Sequence, residues 1–64
     1  MKRNTFIAKA AIELTAAYIT SRGRLPLSRQ EREDMVLLGL ESAKELTDEL
    51  EKKYAYSYGT EVFD

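Results

Sequence analysis

The chain has 64 residues, with 10 basic and 11 acidic side chains and a formal net charge of −1. A chain of this size forms one domain with a marginal core, so such proteins usually add disulfides, a metal or a second subunit. Because it has no cysteine and no histidine, disulfides and an ordinary zinc site are excluded, and oligomerisation remains as the expected source of buried surface.

The charges are unevenly distributed along the chain. Residues 1–32 carry seven basic and two acidic side chains, net +5, whereas residues 33–64 carry three basic and nine acidic ones, net −6. This asymmetry favours directed packing within or between molecules over general attraction to nucleic acid. Lys9 and Glu13 interrupt the apolar run that a signal peptide requires, and the apolar run at residues 35–40 is too short to span a bilayer. We therefore expect a cytoplasmic protein with no membrane contact.

A first helix is predicted over about residues 5–22. Asn4 or Thr5 is placed to cap its N-terminus. Gly23 suits the left-handed position that ends a helix, and Pro26 prevents the helix from continuing. Apolar residues recur at helical spacing and form two neighbouring stripes: Ile7, Ala11, Leu14 and Tyr18 in one, and Ala8, Ile12 and Ile19 in the other.

A bend at residues 23–28 leads into a second helix predicted over about residues 29–53. Ser28 and Glu31 form a capping box at its start. Because the bend is short, the two helices are predicted to be antiparallel, with paired residue numbers summing to roughly 53. The side chains at steps of three and four are predicted to face the first helix: Val36, Gly39, Ala43, Leu46 and Leu50.

The first half of the second helix carries more apolar side chains than one facing helix can cover. We predict a partner or oligomer interface made of the residues that surround this half: Met35, Leu37, Leu38 and Leu40. The predicted fold is therefore all-α: an antiparallel, coiled-coil-like two-helix hairpin that completes its core by oligomerisation or by docking into a larger assembly.

The sequence changes period at residues 54–64. Tyr54, Tyr56 and Tyr58 alternate as on a strand, so an extended aromatic C-terminal tail is predicted. The tail could pair with that of a second copy, lie along the helices or dock on another protein. The tail residues predicted to contact a partner are Tyr56, Tyr58 and Phe63.

Catalysis is not expected from this composition. Without histidine or cysteine the chain has no ordinary base that titrates near pH 7 and no thiolate nucleophile. Glu41, Glu45 and Glu49 share one helical face, but the Glu-x-x-His pattern of helical di-iron proteins is absent, so a solvated, ion-paired face is the better interpretation. No catalytic residue, metal or cofactor is predicted.

The arginine-rich bend is the candidate site for a small ligand. Helix N-termini favour anions, and guanidinium groups suit phosphate. The residues of this possible anion or phosphate site are Arg22, Arg24, Ser28, Arg29 and Arg32.

The alternative interpretation of the bend is a solvated loop. In it Arg29 pairs with Glu33, Arg22 caps the first helix, and Glu31 and Asp34 neutralise the remaining charge. A helix-turn-helix DNA reader is disfavoured, because these acidic residues begin the would-be recognition helix and would face phosphates.

The sequence thus predicts a small non-enzymatic protein–protein interaction module: an adaptor, assembly factor, inhibitor or accessory structural subunit. Its size and composition would suit a phage or mobile-element protein. The alternative hypothesis is an oligomeric binder of a small phosphorylated ligand or nucleotide at the arginine-rich bend.

Overall fold

Two helices, α1 (Arg3–Arg22) and α2 (Arg29–Tyr58), form an antiparallel hairpin in the computed structural model, which describes residues 1–26 and 28–64. The hairpin measures 45 × 19 × 15 Å, so it is a single layer of helices. The predicted all-α hairpin is confirmed. Leu27, inside the predicted bend, lies outside the described residues.

The start of α1 differs from the prediction. The helix begins at Arg3, and the residue at its N-cap is Lys2, whose side chain makes no capping hydrogen bond. Asn4 and Thr5 are already inside the helix, so the prediction that one of them caps it was wrong. Contacts with the other end of the chain hold this first turn instead: Arg3 pairs with α2, and Phe6 packs on Phe63.

The bend is fixed by local signals on both sides. Gly23 has a left-handed backbone (φ 76°), and its N–H donates to the carbonyls of Ile19 and Thr20, both at 3.2 Å. Ser28 caps α2, because its Oγ accepts from the backbone N–H of Glu31 at 3.1 Å. The predicted end of α1 at Gly23 and the predicted Ser28 cap of α2 are both present.

The second helix is longer than predicted, and the tail is correspondingly shorter. α2 continues through Tyr58 and ends at Gly59 (φ 72°), whose N–H donates to the carbonyl of Ala55 at 2.8 Å. Residues 54–58 are therefore helical, which corrects the predicted extended tail from residue 54. The tyrosine alternation is also compatible with helical spacing, since Tyr54 and Tyr58 lie one turn apart and their tilted rings pack with centroids 4.7 Å apart.

The seam between the helices consists of small residues, apart from Met35 at the end nearer the bend. α2 buries one row of residues at steps of four, and α1 buries Ala11 against it; the buried α2 row is Met35, Gly39, Ala43 and Thr47. A Cβ added at Gly39 would lie 3.0 Å from the carbonyl oxygen of Ala11 and would overlap the Thr15 hydroxyl. The two backbones therefore approach closely at this point.

Part of the predicted core lies on the surface. Gly39 and Ala43 are buried as predicted, but Val36, Leu46 and Leu50 are 53%, 59% and 37% exposed. The reason is the close approach: when the smallest residues face the seam, larger neighbouring side chains are displaced to its two flanks.

The open end of the hairpin is closed by ion pairs and by the tail. Arg3 Nε lies 2.5 Å from Glu51 Oε1, and the same guanidinium pairs with Asp48. The hydrogen bond to Glu51, with the attraction of both carboxylates, raises the pKa of Arg3. Phe63 folds back so that its ring centroid lies 5.2 Å from that of Phe6. Within the described residues, no helix is long and apolar enough to cross a membrane.

Candidate interaction surface

An apolar groove runs along one side of the seam, between α1 and α2. It has a volume of about 470 Å³, and we call its lining the groove face: Ala8, Ala11, Ile12, Thr15, Ala16, Ile19, Val36 and Leu40. None of these side chains is charged. Ile12 is 70% exposed and Leu40 is 43% exposed, so large apolar side chains of both helices meet solvent here.

The apolar surface continues past the groove on α2. A second depression of about 350 Å³ lies on the outer side of Val36 and Leu40 and is also lined by Leu37, Arg32 and Glu33. Arg32 and Glu33 are the charged residues of its lining. Together the two depressions form one apolar area, because Val36 and Leu40 line both.

The opposite side of the seam is less open. Leu14, Tyr18 and Leu38 line a depression of about 170 Å³ there, with Ser42 at its edge. The Arg22 guanidinium lies 5.6 Å from the centroid of the Tyr18 ring and partly covers it. This side presents a smaller and more polar hollow than the groove face.

The structure separates the four residues predicted as an interface on α2. Leu37 and Leu40 lie in the apolar area beside and within the groove, whereas Leu38 lies on the opposite side of the seam. Met35 is only 5% exposed and belongs to the core, which corrects its prediction as a contact residue. It is buried because it lies one turn before Gly39 in the seam row.

Ile12 belongs to the second apolar stripe of the first helix, and Val36 was predicted to face that helix, but both line the groove. Each lies one position after a residue of the seam, Ala11 or Met35 respectively, and therefore flanks it. The signal that identifies them is the run of small residues at steps of four on α2, because that run fixes which stripe is buried.

The predicted tail contacts have different outcomes. Tyr56 and Tyr58 are 94% and 70% exposed on the last turns of α2. Phe63 instead packs on Phe6 of the same chain and helps to close the open end. Tyr56 borders a shallow depression of about 480 Å³ with Glu49, Lys52 and Lys53.

The arginine-rich bend is internally paired. Arg22 and Arg24 both contact one carboxylate oxygen of Glu31, at 3.1 and 2.9 Å, and Arg29 contacts Glu33 at 3.0 Å. The Ser28 hydroxyl is used as the cap of α2, as described above.

This pairing opposes anion binding at the bend. The hollow beside Arg22, of about 240 Å³, is also lined by Glu31 and Asp34, whose carboxylates repel anions. A phosphate group bound to Arg22 and Arg24 would lie beside the Glu31 carboxylate, which already offsets part of their charge. The fourth arginine, Arg32, borders the apolar depression of Leu37 instead.

Among the described residues, no group of three or more histidine, cysteine or acidic side chains is arranged to hold a metal ion. The chain matches no protein-family model, no curated protein and no solved structure. The groove face is therefore the feature from which a function is inferred.

Proposed function

We propose that this chain is a small non-enzymatic protein–protein interaction module, and that the groove face is its docking surface. The observation that carries this proposal is the uncharged groove shared by α1 and α2, in which Ile12 is 70% exposed. Contiguous apolar surface of this kind is unfavourable in water and is typical of protein–protein contact sites.

The surface area of the chain supports the same proposal. A folded monomer of 7.3 kDa is expected to expose about 4,200 Å². This chain exposes 5120 Å². The excess of roughly 900 Å² is close to the area that one partner buries in a standard interface.

The shape of the hairpin also indicates a missing layer. Its radius of gyration is 14.0 Å, whereas a compact domain of 64 residues has about 11 Å. Helices bury their apolar stripes by packing against a second layer, and this hairpin provides only one. A partner helix laid along the groove would supply that layer and contact both Ile12 and Leu40.

Site-specific photo-cross-linking in the native host tests the proposal. A benzoylphenylalanine at position 12 lies in the groove, and the same residue at position 46 is the matched control. Leu46 is 59% exposed but does not line the groove. We expect irradiation to give a covalent protein adduct from position 12 and far less from position 46. Equal or absent adducts at the two positions would contradict the proposed docking surface.

A further inference from the structure

We propose that the occupant of the groove face is a second copy of this chain, and that two hairpins form a four-helix bundle with both bends at the same end. This inference rests on the proposed function, because it identifies the partner of the same groove. In this arrangement a two-fold axis runs parallel to the helices, and α1 of each copy lies against α2 of the other.

The size of the exposed area fits a second copy. A two-fold interface uses the same patch on both chains, so one groove face per chain completes the assembly. The excess exposure of roughly 900 Å² is about the share of each chain in a standard interface, which buries about 800 Å² per partner. Covering one such face lowers the exposed area of each chain to about the value expected of a folded chain of its own mass.

The single helix layer of each hairpin also favours a four-helix bundle of two copies. One hairpin is 15 Å thick, which is a single helix layer with its side chains. Two such layers joined by their apolar faces make a four-helix bundle, which is the standard way in which antiparallel helix pairs bury a common core. The groove face contributes aliphatic side chains from both helices, as such a core requires.

The formal charges of the two helices favour one orientation, although Arg3 and Arg22 of α1 are already paired with carboxylates of their own α2. α1 has three basic residues and one acidic residue, net +2, whereas α2 has five basic and eight acidic residues, net −3. With both bends at one end, α1 lies against the partner's α2, so helices of opposite charge meet. With the bends at opposite ends, α1 would lie on α1 and α2 on α2, which places like charges together.

A distance measurement between spin labels tests both parts of the proposal. The chain has no cysteine, so Leu25→Cys gives a unique label at the bend, where Leu25 is 72% exposed. In the purified full-length chain we expect a label-to-label distance of roughly 20 Å or less, about two interhelical spacings. Bends at opposite ends would separate the labels by roughly 30 Å or more at 1.5 Å per helical residue.

Two charged variants of the labelled chain test whether the two copies meet through the groove face. Leu40→Glu places a carboxylate in the groove and should remove the dipolar coupling. Leu46→Glu makes the same change on the same helix, about 120° away around its axis, and should retain it. Coupling that survives Leu40→Glu would overturn the assignment to the groove face, and a long distance would overturn the orientation.

The failure of this inference can be distinguished from failure of the proposed function. If the labelled chain shows no coupling and position 12 cross-links to a protein of another mass, the groove binds a different chain and the second copy is excluded. If neither experiment detects a contact at the groove, the proposed function fails as well.

Discussion

Gly39 is the residue on which the hairpin geometry most depends. Its missing Cβ leaves room for the Thr15 hydroxyl and for the carbonyl oxygen of Ala11, which would lie only 3.0 Å from an added Cβ. The Thr15 hydroxyl donates to the same Ala11 carbonyl at 2.7 Å, so it is not free to move away.

Gly39→Ala therefore tests the close approach. Helix propensity alone would make this change stabilising by about 1 kcal/mol. Because the added methyl group overpacks the seam, we expect instead a net loss of about 1–2 kcal/mol in the free energy of unfolding, measured by urea denaturation.

Adding Thr15→Ala to the Gly39→Ala variant tests whether the overlap with Thr15 causes the loss. It removes the hydroxyl that overlaps the new methyl group but leaves the Ala11 carbonyl in place, so it should recover part of the lost stability. A more stable Gly39→Ala single variant would contradict the close approach.

Single residues with a strong local signal could be predicted from the sequence, and residues placed by tertiary packing could not. Ser28 and Gly23 have the expected roles because capping depends on the adjacent backbone alone. Met35 was misplaced because its burial depends on which stripe of α2 faces α1, and small residues rather than the largest ones decide this.

At the scale of elements, the N-terminal end of α2 is held by its cap. We expect Ser28→Ala to cost about 1 kcal/mol in unfolding free energy, because the N–H of Glu31 loses its acceptor. Ser28→Asp should retain most of the stability, since aspartate also accepts at this position. Thermal denaturation compares the two variants, and equal losses would show that the hydroxyl does not act as the cap.

The C-terminal end of α2 shows why the tail was predicted incorrectly. Three tyrosines at steps of two have the period of a strand, but Tyr54 and Tyr58 are also one helical turn apart. The chain contains no helix-breaking residue between Lys53 and Gly59, so the helix continues to the glycine. Local propensity at residues 54–58 was compatible with both structures, and the position of Gly59 was the more informative signal.

The short tail after Gly59 is predicted to stabilise the start of α1. Phe63→Ala removes the ring that packs on Phe6, and we expect a loss of about 1–2 kcal/mol. Amide hydrogen exchange should become faster in the first turns of α1, which have no side-chain cap. Tyr56→Ala, at a 94% exposed position, is the control and should leave exchange there unchanged.

At the scale of the whole molecule, we propose that the hairpin is half of a larger packed unit. Sequence alone predicted its topology, and also that its apolar surface exceeds what two helices can bury. The position of that surface required the structure, because it depends on which stripes the seam of Ala11, Gly39 and Ala43 displaces to its flanks.

The mass of the purified chain in solution, measured by light scattering over a concentration series, tests the central claim most directly. We predict a species of twice the 7.3 kDa chain mass that persists to low micromolar concentration. Leu40→Glu should shift it to the monomer, and Leu46→Glu should not. A folded monomer of the wild-type chain at every concentration would contradict assembly through the groove face.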